Sequence, residues 1–197
     1  MLVIHENRGM LPHFPDVARR LAVEGYAALA VDMLSREGRE PSPVPTTQGT
    51  LCERLKETRS SEMPMPELPT CRPRISSVGS GWASWGSASV AASLGCWRFA
   101  IRWLRQLPFY GSAPPLDEIP NMSIPVLGIY AGEGQRIGAG VPDLEAARKV
   151  NNKTYRFQTF AGANHAFFND TGRRYHPEAA GGAWRETLAW FETHLMS

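Results

Sequence analysis

The sequence predicts an α/β fold in a single domain over residues 1–197, a mostly parallel sheet flanked by helices and interrupted by an irregular middle segment. Three observations carry this. Residues 1–4 (MLVI) and 26–31 (YAALAV) are short apolar runs on either side of a stretch with helical spacing. Residues 125–130 (PVLGIY) and 154–160 (TYRFQTF) repeat that arrangement around a second helical stretch. A third amphipathic stretch, 177–195, closes the chain. Strands that alternate with helices at these spacings build βαβ units, with parallel strands and right-handed crossovers.

Each element has its own signature. Residues 1–4 end abruptly in HENRG, the pattern of a buried strand whose carboxyl end opens into a loop. From 15 to 24, Val17, Ala18, Leu21 and Ala22 fall on one helical face and Arg19, Arg20 and Glu24 on the other, until Gly25 stops the helix. Asp32 ends the strand that follows. Residues 41–106 show little sustained period and are dense in Ser, Arg, Pro and Trp, including Trp82, Trp85, Trp97 and Trp103. A short strand at PFYG and a proline-punctuated loop then lead into the buried strand 125–130. The helix 141–150 is expected to pack Val141, Leu144, Ala147 and Val150, and Asn151 and Asn152 end it. Residues 154–160 alternate as a strand. The final helix lines up Trp184, Leu188, Phe191 and Leu195, with Gly181 and Gly182 weakening its start.

Composition narrows the function. With 43% apolar and 20% charged residues and a net charge of +2, the chain is expected to be an ordinary globular protein with no nucleic-acid partner. Its amino terminus lacks the pattern of a signal peptide or membrane span, so no membrane association and a cytoplasmic location are expected. Three cysteines, Cys52, Cys71 and Cys96, without CxxC spacing argue against a disulfide framework and a zinc site.

The chemistry centres on AGANHAFFND, residues 161–170, a loop between strand and helix. Small residues let it turn tightly, and His165 carries the one side chain whose ordinary pKa suits proton transfer near neutrality. His5, His13, His176 and His194 fall outside this motif and are expected to be structural.

MLVIHENRG, DVARRLAVEGYAALAVDMLSREG, PFYGSAPP, IPVLGIYAG and the closing AGANHAFFNDTGRRYHPEAAGGAWRETLAWFETHL occur in one order. Together they resemble the dienelactone hydrolase family (carboxymethylenebutenolidases) of the α/β-hydrolase fold. The resemblance covers roughly residues 1–40 and 107–197. It implies hydrolysis of a small-molecule lactone or ester by a cysteine nucleophile, a histidine and an aspartate, with no metal or organic cofactor. It further implies that His165 is the base, that Glu6 sits beside the nucleophile, and that the Asn7 backbone N–H helps form the oxyanion hole. Family members usually carry strands before the HENRG block, so an incomplete α/β-hydrolase fold is expected. Residues 1–4 would then form an uncovered sheet edge, which a homodimer could cover.

Two parts of the machinery do not match. The fold needs a GxSxG or GxCxG elbow on a strained strand-to-helix turn, and the sequence contains none. Counting back from PFYG puts the nucleophile slot near Ser87, where Trp85 and Ser89 replace the flanking glycines. Cys96 lies well past that slot, with Trp97 and Arg98 after it. In AGEGQRIGAG, Gly134 occupies the position of the family's aspartate, and Glu133 stands one residue earlier. The composition of the middle suggests a shifted reading frame that recovers near Leu107, which sequencing of the coding DNA would test; genuine divergence and a disordered linker are the other two readings. Two readings remain open: a hydrolase with weakened activity, and an inactive remnant that acts, if at all, as a binding module.

Overall fold

The computed structural model describes residues 1–6, 8–32 and 114–195, together with the strands Ala83–Ser87 and Arg105–Phe109. Six parallel strands form one sheet: β1 (Leu2–Ile4), β2 (Leu29–Val31), β3 (Ala83–Ser87), β4 (Arg105–Phe109), β5 (Val126–Ala131) and β6 (Tyr155–Phe160), in the order β2-β1-β3-β4-β5-β6. The expected α/β class is therefore observed, as a parallel sheet with helices packed against it. Of the middle segment 41–106, β3 and the start of β4 are described. The rest, including the cysteines and any helix within 90–104, lies outside the described residues.

The expectation of an uncovered edge at residues 1–4 is corrected. β1 pairs on one side with β2 (Ile4 opposite Val31) and on the other with β3 (Ile4 opposite Gly86). An apolar run too short to signal its neighbours acquires both of them from later in the chain. The outer strand on this side of the described sheet is β2, where Leu29 is 60% exposed.

Helix α1 (His13–Val23) begins two residues earlier than the apolar spacing suggests, because His13 and Phe14 are both buried. Its inward face is His13, Phe14, Val17 and Leu21, whereas Ala22 is exposed. Asp16 in its first turn and Arg20 in its last suit the helix dipole and pair with each other at 2.7 Å. Gly25, at φ +88°, turns the chain out of the helix, a conformation that costs other residues a Cβ clash. After β4, the proline-rich loop contains a 3-10 helix, Leu116–Asn121, that buries Ile119. A four-residue helix α2 (Gln135–Gly138) follows β5, and α3 (Val141–Val150) follows α2. Helix α4 (Pro177–Leu195) runs as the sequence predicts and buries Ala179, Ala180, Ala183, Thr187 and Phe191, with Trp184 and Leu195 half-buried against the same core. Gly182 has a reason to be in it: a Cβ there would lie 2.7 Å from the Phe160 ring, so glycine lets α4 settle on β6.

The sheet divides two cores, and β5, buried along its whole length, feeds both by its two-residue period. Leu127, Ile129 and Ala131 join α1, α4 and the buried Phe167 and Phe168 on one side. Val126 packs with Ile119, Met122 and Leu144 on the other.

The second core also holds a charge. α3 turns Arg148 inward, 1% exposed, and leaves Val150 81% exposed, contrary to the expected packing of Val150. Among the described residues, Arg148 Nη2 donates to the Met122 sulfur at 3.2 Å, while its Nε and Nη1 have no hydrogen-bond partner. Burial lowers its pKa to about 10, against the opposing influence of Tyr130 and Tyr155, so it stays charged at neutral pH. A buried cation whose donors are left without partners is costly, and apolar replacement of buried ion pairs gains about 1–4 kcal/mol. Arg148→Met, which preserves length and removes the charge, is expected to stabilise the protein by about that amount, read as a higher urea midpoint at unchanged m-value.

Candidate active site

In a parallel α/β sheet the loops at the carboxyl ends of the strands line the ligand crevice. Three of these loops are described here. The first follows β1. His5 is fully buried: its Nδ1 donates to the Glu6 carbonyl at 2.6 Å and its Nε2 lies 3.4 Å from the Asp32 carboxylate at the end of β2. It ties two strand ends together, the structural part expected of it. Glu6 is 6% exposed and accepts hydrogen bonds from Arg8 Nε at 2.6 Å and Nη2 at 2.5 Å. The Gly9 N–H returns to the Glu6 carbonyl at 3.1 Å, with Gly9 at φ +87°. Asn7 lies outside the described residues.

Beside β1 lies β3, whose last residue is Ser87. Because Gly86 is opposite Ile4 and Ser87 is opposite Phe109, the Ser87 backbone stands at the carboxyl edge of the sheet, level with His5. The slot counted back from PFYG is thus the carboxyl end of an inner strand of the described sheet.

The loop after β5 is fastened to the loop after β6. Gly132 N–H donates to the Phe160 carbonyl at 2.8 Å and Glu133 N–H to the Ala163 carbonyl at 3.0 Å. This docks residue 133 two positions before His165. The Glu133 side chain lies in an exposed part of the loop. Gly134 has φ −86° and ψ 58°, angles open to any residue, and a Cβ there would lie 3.1 Å from the Ala131 carbonyl oxygen.

The loop after β6 carries His165. Gly162 turns it at φ +72°, and the buried Ala163, Phe167 and Phe168 pin it to the core. Ala166, immediately after the histidine, is held at φ 69°. A non-glycine residue in the left-handed region stores strain, which persists where the surroundings overdetermine the backbone. His165 is half-buried, and burial lowers its pKa below 6.5. Glu6 opposes that shift, while Arg174, Arg136 and Arg8 reinforce it. The fold therefore gathers His165, the HENRG loop, α2 and the 161–176 loop into one electrostatic neighbourhood. Arg136 and Arg174 both fall within the quoted motifs, but their spacing gave no sign that the fold would turn them toward His165.

His13 shows what burial does without a catalytic setting. It is 3% exposed, and its pKa falls to about 4, from burial first, with Asp170 and Asp16 opposing and Arg20 reinforcing. Between about 4 and 6.5 the unfolded state binds the proton and the folded state does not, so stability is greatest above 6.5 and declines as pH falls toward 4. The drop is about 3 kcal/mol at about 1.4 kcal/mol per pKa unit. Urea unfolding across that window, compared with His13→Phe, is expected to show the loss in the wild type and a flatter profile in the variant.

A profile of the dienelactone hydrolase family matches residues 1–195. The chain belongs to the dienelactone hydrolase family. A relative from Saccharolobus solfataricus, provisionally named a carboxymethylenebutenolidase, is 31% identical, with 96% of this chain and 87% of that protein covered. One of the same provisional name from Escherichia coli K12 is 26% identical over 98% of this chain and 76% of its own length. Among solved structures, a protein from Klebsiella pneumoniae provisionally titled a dienelactone hydrolase superposes with a TM-score of 0.73 at 24% identity, over 98% of this chain and 86% of that one. The dienelactone hydrolase-like promiscuous phosphotriesterase P91, from metagenomic libraries, gives 0.69 at 17% identity, over 98% and 85%. Both likenesses speak to the fold. Among the described residues there is no group of three or more His, Cys, Asp or Glu that could hold a metal ion, and no helix long and apolar enough to cross a membrane.

Proposed function

We propose that this member of the dienelactone hydrolase family hydrolyses a small-molecule lactone or carboxylic ester in the cytoplasm, slowly, with Ser87 as nucleophile and His165 as general base. The observation that carries this reading is the setting of His165: a half-buried imidazole on a strained loop, with its pKa lowered so that the neutral, proton-accepting form prevails at pH 7. In the reaction, Ser87 Oγ passes its proton to His165 and bonds to the substrate carbonyl carbon. The tetrahedral oxyanion collapses, the C–O bond to the leaving alcohol breaks, and His165 returns the proton to that oxygen. Water then passes a proton to the same imidazole and bonds to the acyl carbon, and as the bond to Ser87 Oγ breaks His165 returns the proton to that oxygen and the acid is released. Glu6, held by Arg8, sits beside this exchange, and the Asn7 backbone N–H is the proposed oxyanion donor. The surrounding cations Arg8, Arg136 and Arg174 favour a substrate that carries a negative group.

Weak activity follows from Gly134, which leaves no carboxylate at the acid position, and from the missing elbow glycines. Those same two features favour the second reading, an inactive remnant that binds ligands through this face. An ester-directed covalent probe on folded protein separates the two. Labelling that disappears in Ser87→Ala supports the hydrolase; absence of labelling in the wild type supports the remnant.

A further inference from the structure

The sequence motif around His165 extends to Asp170, and nothing in the proposed chemistry uses its last residues. The structure gives them contacts. Arg20, on α1, pairs with the Asp170 carboxylate, and the same nitrogen reaches Asp16 at 2.7 Å. Its Cζ lies 5.9 Å from the centre of the Phe168 ring. His13 meets the same ring edge-on at 5.7 Å, and its Nδ1 is 3.9 Å from Asp170. Asn169 Oδ1 accepts from the N–H and the hydroxyl of Thr171, which sets the turn that presents Asp170. Both ends of α1 thus hold the segment 168–170.

This placement matters because of the sheet order. β6, from which the loop departs, is an outer strand four positions from β1, about 19 Å at the usual strand spacing. For His165 to lie within electrostatic reach of Glu6 and, on the proposed reading, to serve the end of β3, the loop must lie back across the sheet and be held at the far side. Helix α1, which follows β1, is the element that holds it. Hydrophobic burial of Phe167 and Phe168 supplies attraction without direction. A guanidinium paired with two carboxylates and seated over a ring supplies the direction.

We propose that Arg20 and Asp170 are positioning residues, a clamp that holds the His165 loop against α1 and thereby sets the burial and orientation of the imidazole. The proposal rests on the reading of His165 as the base, but its test does not. Burial holds the His165 pKa down, with Glu6 opposing and Arg174, Arg136 and Arg8 reinforcing. Arg20 pairs with Asp170 and Asp16 and lies over the Phe168 ring, so its effect on His165 is expected to travel through the loop. Released from the clamp, the loop admits water and the His165 titration rises toward 6.5.

The experiment is an NMR titration of the histidine ring signals in the full chain. Arg20→Met, which keeps length and loses the charge, is expected to move His165 upward while leaving His194 in place. Amides of residues 164–170 should exchange up to about tenfold faster, the equivalent of one exposed ion-pair network and one cation–π contact. Arg20→Lys should fall between, since an ammonium keeps the charge but not the planar fork. Arg19→Met removes a neighbouring cation that pairs with Asp16 and not with the loop, and should leave His165 unmoved. Should Arg20→Met not fold, Asp170→Asn, nearly isosteric, carries the same expectation. A His165 titration unchanged in the clamp variants, or shifted equally by Arg19→Met, overturns the proposal. Failure of the hydrolase reading is seen separately, as turnover that survives His165→Ala in the wild-type background.

Discussion

Gly134→Asp is expected to raise kcat/KM for an activated ester by up to about 10⁴-fold. In a hydrolytic triad the acid orients the imidazole and stabilises its charged form, and loss of the acid alone costs about 3 × 10⁴ in kcat. The position can accept the side chain. Its φ of −86° imposes no strain, and the Cβ, 3.1 Å from the Ala131 carbonyl oxygen, requires that oxygen to give by a few tenths of an ångström. The docking of Glu133 N–H on the Ala163 carbonyl keeps the new carboxylate close to the His165 loop. The sign of an accompanying pH effect distinguishes repair from a general gain. Burial places the His165 pKa below 6.5, so the acid limb of the wild-type rate profile should fall below that value. A carboxylate beside the imidazole stabilises the imidazolium, so in Gly134→Asp the limb should shift to higher pH. A faster enzyme with an unmoved limb would mean the aspartate acts elsewhere than on His165.

His165→Ala is expected to lower turnover about a hundredfold, to background, rather than by the million-fold seen when a complete triad loses its base. The reason is that triad members act as a unit. Where removing base or nucleophile costs about 2 × 10⁶ and removing the acid about 3 × 10⁴, a chain already without its acid has only about a hundredfold left to lose. The same logic fixes the double variant: Gly134→Asp in a His165→Ala background should gain nothing, because the acid acts only through the imidazole. Initial rates with a 4-nitrophenyl ester, with circular dichroism to confirm folding, measure all four proteins. Equal rates in wild type and His165→Ala would assign the protein to the remnant reading.

Much of this was legible in the residues. Strand and helix periods located β1, α1, β5, α3, β6 and α4 to within a few residues, because each buries one face and so repeats its apolar positions every two or 3.6 residues. The loop AGANHAFFND announced His165 by small residues at a strand end. The 3-10 helix Leu116–Asn121 was hidden behind Pro115 and Pro120, which also signal loop. Arg148 was hidden because a charged residue near a helix end ordinarily faces water, and only the packing of α3 over Met122 turns it inward.

The amino-acid sequence by itself determined the βαβ alternation, the family, and the two gaps in the machinery, Gly134 and the missing elbow glycines, since all of these are local patterns or ordered motifs. The tertiary structure decided what lies beside what. It put β3 between β1 and β4, so that Ser87 ends an inner strand and β2 becomes an outer one. It also put His165 within electrostatic reach of Glu6 and paired Asp170, at the end of its loop, with Arg20, 150 residues away in the chain. Pairings at that separation follow from strand order and from the burial of Phe167 and Phe168, and neither leaves a mark in the spacing of neighbouring residues.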